Sequence, residues 1–320
     1  MRIGVITVLF QQLPFEKMLD RVVELGLTAV ELGTGGYPGS HHCPVDELLG
    51  SESKRKAYLQ AIHSRGLIIS AFSCHNNPLS PDMKEAKEAD ATFRKTIQLA
   101  QRMEVAVINT FSGLPAGSPN DTLPNWVTCA WPPHFLEILD YQWNQVAVPY
   151  WKEAGKFARD HGVKVGLEMH PGILVYNVET LLRLRDAVGP VLGCNFDPSH
   201  LWWNGVDPVA AIRILGEAIF HMHGKDVYVD RHNLSVNGCN DAKPYSQIPQ
   251  RAWTFRSIGY GHGAKDWKDI ISALRMVGYD YVISIEHEDA LMAPDEGLAK
   301  GVALLKDAGI FEAAGEMYWA

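Results

Sequence analysis

The chain of 320 residues has little cysteine and no excess of positive charge. Its five cysteines, Cys43, Cys74, Cys129, Cys194 and Cys239, are scattered and never spaced as Cys-x-x-Cys. That pattern excludes a disulfide framework and a thiolate zinc site, and it fits a reducing compartment, so a cytoplasmic protein is expected. Lysine and arginine number 29 against 37 acidic residues, a formal net charge of −8. Nucleic-acid binders display a basic face that displaces counterions, which makes a small molecule the expected partner and not a polyanion. No apolar run approaches the length of a membrane span, and the strand-like RIGVITV begins at Arg2, where a signal peptide would need room. Low-complexity segments and sequence repeats are missing as well. So is a nucleotide loop: GTGGYPG, Gly33 to Gly39, has the wrong spacing, contains a proline and does not run into a helix.

What the chain does have is a rhythm. Eight short apolar, β-branched runs recur: RIGVITV, TAVELG, LIISAFSCH, VAVINTFSG, VKVGLEMHP, VLGCNFDPSH, AIFHMHGKD and YVISIEHED. Each ends in small or polar residues and is followed by a stretch of helical periodicity. Ser80-Pro81-Asp82 and Asp207-Pro208 offer N-cap side chains with proline at the first helical position. Strands and helices alternating on this beat predict an α/β protein. The expected architecture is a closed (β/α)8 TIM barrel, a single domain over residues 1–320. Two connections are longer than a barrel needs, Gly113 to about Tyr141 after the fourth strand and Tyr228 to Lys265 after the seventh. Both hang from strand C-termini, the rim where barrel enzymes place their sites.

Side chains alternate faces along a strand, so the last four runs can be read for what points inward. Gly166, Glu168 and His170 share one parity; so do Asn195 and Asp197; His221, His223 and Lys225; and Ser284, Glu286 and Glu288. The opposite parity is apolar. Glu168, Asp197, Glu286 and His223 would therefore converge at one end of the barrel, where three anions without a counter-charge would be costly. A divalent cation supplies that charge. Three oxygen ligands and one imidazole suit Mn²⁺, Mg²⁺, Co²⁺ or Zn²⁺. A single acidic residue at a strand end is usually a salt bridge or a cap, but four on consistent parity favour a metal.

The segments GLEMHP, NFDPSH, HMHGKD and SIEHED resemble the strand ends of the xylose isomerase-like barrel superfamily, in particular its sugar isomerase and epimerase branch. The likeness is strongest from Val163 to Asp289. It implies one divalent metal, manganese first, on Glu168, Asp197, His223 and Glu286, with His200 of the Asp-x-x-His pair touching substrate. It further implies that Glu168 and Glu286 share the proton work next to a sugar carbonyl, through a metal-stabilised enediolate. One carboxylate removes the proton and the other returns one from the far face. Lys225, Arg256, His170, His75, Trp126 and His262 are further candidates for substrate contact, the last with Arg256 on the glycine-rich RSIGYGHG. Contact between copies of the chain through the rim loops is a further expectation.

Three other readings stay open. Some relatives cleave 3-oxo-glycosides through the same enediolate by expelling a leaving group from the β carbon. A non-catalytic, sugar-binding barrel would lose a proton-transfer carboxylate, yet both are here. The DNA-repair endonuclease branch needs a histidine-rich cluster of metals. Strand four ends in Asn109 and Thr110, where that branch has histidine, and the net charge has the wrong sign.

Overall fold

The structure, a computed structural model, describes residues 1–319. Eight parallel strands close into a barrel: β1 (Arg2–Ile6), β2 (Ala29–Gly33), β3 (Ile68–Ser73), β4 (Val107–Thr110), β5 (Lys164–Glu168), β6 (Leu192–Phe196), β7 (Ile219–Gly224) and β10 (Val282–Ile285). Neighbours follow chain order, and β10 closes the ring by pairing with both β7 and β1. All eight runs read from the sequence form these strands.

The alternation of side chains explains the layers. Val165, Leu167, Cys194, Phe196, Ile283 and Ile285 point outward and are buried under the surrounding helices. Each such side chain contributes about 1.5–3 kcal/mol when fully removed from water. The inward positions toward the strand ends carry buried polar residues such as Glu168, Asn195, His221, His223 and Ser284. A Cβ on Gly166 would stand 2.7 Å from Asn109 Oδ1, so glycine leaves the space that the polar interior occupies.

Helix starts follow local chemistry with one correction. Asp207 caps the helix Pro208–Leu215 with proline at its first position, as expected. For the long helix Met83–Met103 the cap is Asp82, which accepts from the Lys84 and Glu85 N–H groups. Pro81 therefore precedes the cap and does not open the helix, while the Ser80 hydroxyl accepts from the Asp82 N–H.

The two long connections also differ from expectation. After β4 the chain is irregular only as far as Pro133, because the helix His134–Asp140 already starts within the span assigned to a loop. After β7 the chain builds an antiparallel hairpin, β8 (Asp226–Val229) and β9 (Trp253–Arg256), with the helix Arg231–Asn237 between them. The hairpin carries its own small core of Trp203, Val227, Ala252, Trp253 and Phe255. Trp203 and Trp253 stack at 4.2 Å with their planes 9° apart. That burial allows the excursion from Asp226 to Arg256 to hold a fixed shape over the barrel mouth.

Candidate metal centre

Glu168 ends β5, Asp197 follows β6, His223 lies near the end of β7 and Glu286 follows β10. Parallel strands in register bring these four positions to the same level of the barrel, at the C-terminal rim. Each offers one ligand atom, and the four atoms lie within 4.8 Å of one another. His223 Nδ1 stands 3.0 Å from Glu286 Oε2 and 3.2 Å from Glu168 Oε2.

Three atoms of this group, Asp197 Oδ2, His223 Nδ1 and Glu286 Oε2, are buried with no hydrogen-bond partner. Buried polar atoms are almost always paired, and leaving one unpaired costs about 1–3 kcal/mol. Three such atoms facing a common centre fit a cation of small radius. The donor set of three carboxylates and one imidazole, free of thiolate, suits a hard or borderline divalent ion.

The surrounding groups fix the ligands in place. His223 Nε2 lies 3.1 Å from both oxygens of Glu31, so Nε2–H donates to that carboxylate and the lone pair of Nδ1 is left for a metal. Glu31 accepts in turn from Asn109 Nδ2 at 2.9 Å and from the Ser73 hydroxyl. Burial pushes the Glu31 carboxyl up, but His223 and His221 outweigh it and hold it well below the usual carboxylate range. Asn195 Nδ2 donates to Glu168 Oε2 at 3.0 Å, and His75 Nε2 lies 3.0 Å from the same oxygen. His221 is fully used inside the barrel, with Ser70, Asn109 and Asn195 as partners. Burial moves its pKa down to about 4, which keeps the ring neutral.

Charge at the mouth is finely divided. Burial opposes ionisation of Glu286, yet Lys225 and His223 bring its pKa down to about 2. Burial likewise opposes charge on Lys225, but Glu286, Glu288 and Asp197 raise it well above its ordinary value. Its Nζ lies 2.7 Å from Glu288 and 3.4 Å from Glu286. Burial raises the pKa of Asp197, the one of the three ligand carboxyls on which that effect wins.

A cavity of about 750 Å³ opens over these residues, and His75, His170, His200, Lys225 and Arg256 all line it. Arg256 is held by Asp289 at 3.0 Å. Burial and the neighbouring His200 bring the pKa of His170 down to about 3, so it is neutral. Two of the expected substrate residues sit elsewhere. Trp126 lines an adjoining chamber and does not face this cavity. His262 lines neither: it stacks on Trp202 at 3.7 Å and its Nδ1 bonds Asp226 at 2.9 Å. That bond pins the glycine-rich loop down, since Asp226 Oδ2 also accepts from the Gly259, Gly261 and His262 N–H groups. The GTGGYPG loop, in contrast, reaches the cavity with Tyr37 and Pro38. Gly36 (φ 66°) makes this approach feasible, because a Cβ there would meet the His75 carbonyl oxygen at 2.3 Å.

The model of one family, described as "Xylose isomerase-like TIM barrel", matches residues 19–308. The chain belongs to this family. A protein from Bacillus subtilis (strain 168), "Uncharacterized protein YfiH", is 44% identical over 309 residues, 96% of this chain and 98% of that protein. An inosose dehydratase from Glaesserella parasuis serovar 5 (strain SH0165) is 28% identical over 175 residues, 52% of this chain and 56% of the relative. Among solved structures, the IolI protein with a bound zinc atom superposes with a TM-score of 0.66 over 96% of this chain and 98% of that one. It is 17% identical, a likeness that shows the fold.

At the end of β2 the sequence offers Glu31 as a residue that faces the pocket or is satisfied within the barrel, without tying it to His223. The only signal available was its inward parity at the end of β2, since its partner His223 lies 192 residues away. Glu288, on the inward parity of its strand, lines the cavity as that parity implies, whereas Tyr245 and Phe255 at the cavity wall carry no such signal. The last two belong to the hairpin excursion, whose fold the sequence did not announce.

Proposed function

We propose that the protein is a divalent-metal-dependent enzyme that removes a proton next to the carbonyl of a sugar or related polyol, and that isomerisation or epimerisation is the outcome. The observation that carries this reading is the convergence of Glu168, Asp197, His223 and Glu286 around three unpartnered buried atoms. When bound there, Mn²⁺ or a similar cation withdraws electron density from the substrate carbonyl and so acidifies the neighbouring C–H.

The residues divide the remaining work. Glu168 ends β5 and Glu286 follows β10, with β6 and β7 between them in the ring, so they approach a shared substrate from different sides. One takes the proton from carbon, and the other returns one to the opposite face. Glu286 is the more open of the two, with 19% of its side chain exposed against 5% for Glu168. Lys225 supplies an ammonium beside the carboxylates and stabilises the negative charge that develops on oxygen. His75 and Asn195 hold Glu168 in one rotamer.

A second reading, elimination of a β substituent as water or an alcohol, is favoured by His200. Its Nε2 lies 3.3 Å from Glu168 Oε1 and from Asp197 Oδ2 and makes no hydrogen bond, so it is free to protonate a leaving oxygen. The dehydratase named above points the same way.

The test is incubation of metal-loaded protein in D₂O with ketoses, inososes and 3-oxo-glycosides. Isomerisation or epimerisation labels the carbon next to the carbonyl and retains every substituent. Elimination releases water or an alcohol and creates a conjugated ketone visible in the ultraviolet. Absence of metal-dependent exchange or elimination across the panel would overturn the proposal.

A further inference from the structure

Lys225, which follows β7, brings an ammonium into the midst of the ligand carboxylates, with its side chain 3% exposed. Two of those carboxylates face it from the inner side. Nζ lies 3.4 Å from Glu286 Oε1 and 3.9 Å from Asp197 Oδ2, and the latter is one of the three buried atoms left without a partner. On the outer side Nζ lies 2.7 Å from Glu288 Oε2 and 4.4 Å from the centre of the Phe255 ring. Of these contacts, the one with Glu288 alone is as short as a charge-assisted hydrogen bond, about 2.7–2.9 Å.

Such an arrangement sets up a competition. A lysine ammonium is a compact point charge on a flexible stem. Freed on its outer side, it would close on Glu286 and Asp197, donate to the unpartnered oxygen and supply the counter-charge that a divalent cation would otherwise bring. Glu288 stands where it can hold the ammonium back. Its side chain is 50% exposed, against 19% for Glu286 and 0% for Asp197, and it is not one of the four convergent ligand positions. A half-exposed ion pair adds little to stability, so the consequence of this one lies in where the ammonium rests.

We infer that Glu288 is a positioning residue for the metal centre: pairing with Lys225 from the solvent side, it keeps the ammonium off Glu286 and Asp197 and leaves those carboxylates to a divalent cation. The inference rests on the metal centre proposed above. Its test reads metal binding and needs no substrate.

The probe is Mn²⁺, titrated calorimetrically into metal-free protein. Glu288→Gln keeps the side chain's length and removes its charge, and Mn²⁺ affinity should fall about tenfold. Lys225→Met removes the competitor. Adding Glu288→Gln to that variant should cost about threefold or less, because no ammonium is left to collapse onto the ligands. Simple loss of a negative charge would weaken a nearby cation equally in both backgrounds, so the coupling in this double-mutant cycle decides the matter. Circular dichroism checks folding, and Lys225→Gln replaces Lys225→Met if the latter is unfolded. Equal losses in the two backgrounds, or no loss in either, would overturn the inference while leaving the metal centre standing. Failure of the wild-type protein to bind Mn²⁺, Co²⁺ or Zn²⁺ would overturn the metal centre, and the inference with it.

Discussion

The imidazole of His223 is clamped by Glu31, whose two carboxylate oxygens each lie 3.1 Å from Nε2. A carboxylate behind a metal-binding histidine fixes its tautomer and raises its basicity, and losing such a partner typically costs about 10–100-fold in metal affinity. Glu31→Gln is nearly isosteric and should show that loss in Mn²⁺ or Zn²⁺ titrations, with secondary structure unchanged. Wild-type affinity in the variant would mean that His223 is oriented by other contacts.

Metal loading should also stabilise the fold. A ligand bound only by the native state adds about 2.7 kcal/mol at one hundred times its dissociation constant. Asp197 has a second duty, because its Oδ1 accepts from the Ser199 N–H at 2.8 Å and caps the short helix Pro198–Trp202. Asn is as good a cap as Asp, so Asp197→Asn separates the two roles. The variant should keep the melting temperature of metal-free protein, and Mn²⁺ should raise it by much less than in the wild type.

Glu286→Gln preserves shape and removes the group that would accept or return a proton. Positioned acid–base groups contribute about 10²–10⁴-fold, and solvent exchange at the substrate carbon should fall by that factor. Exchange at the wild-type rate would move the proton work to another side chain.

Asp226 is completely buried and gathers the backbone N–H groups of Gly259, Gly261 and His262 on one oxygen. In Asp226→Asn the amide can present its oxygen to some of these donors but no longer carries charge. Buried donors left without an acceptor cost about 1–3 kcal/mol each. Amide hydrogen exchange over residues 259–263 should accelerate, while the barrel strands keep their protection.

How far the sequence foretold this structure depends on the range of the interaction involved. Alternation along a strand is a local property, and it suffices to group Glu168, Asp197, His223 and Glu286 on one face. The partnership of Glu31 with His223 depends on closure of the ring, which no local pattern encodes. The hairpin was hidden for a different reason: DVYV and WTFR are four residues each, with 23 residues between them and no tight turn to pair them. His262 stands on a glycine-rich stretch that offers it to substrate, whereas its bond to Asp226 makes it an anchor of that loop. The Ser80-Pro81 helix start failed by two positions, since Asp82 competes for the same role and its side chain reaches two N–H groups at once.

The hairpin excursion supplies Tyr245, Thr254, Phe255 and Arg256 to the cavity wall, while the four ligand positions come from the C-terminal ends of the parallel strands. Part of the cavity wall and the four ligand positions thereby come from separable stretches of polypeptide. Exchanging the stretch from Asp226 to Arg256 among members of such a lineage would let evolution retarget the catalyst to new compounds without rebuilding the centre that drives it.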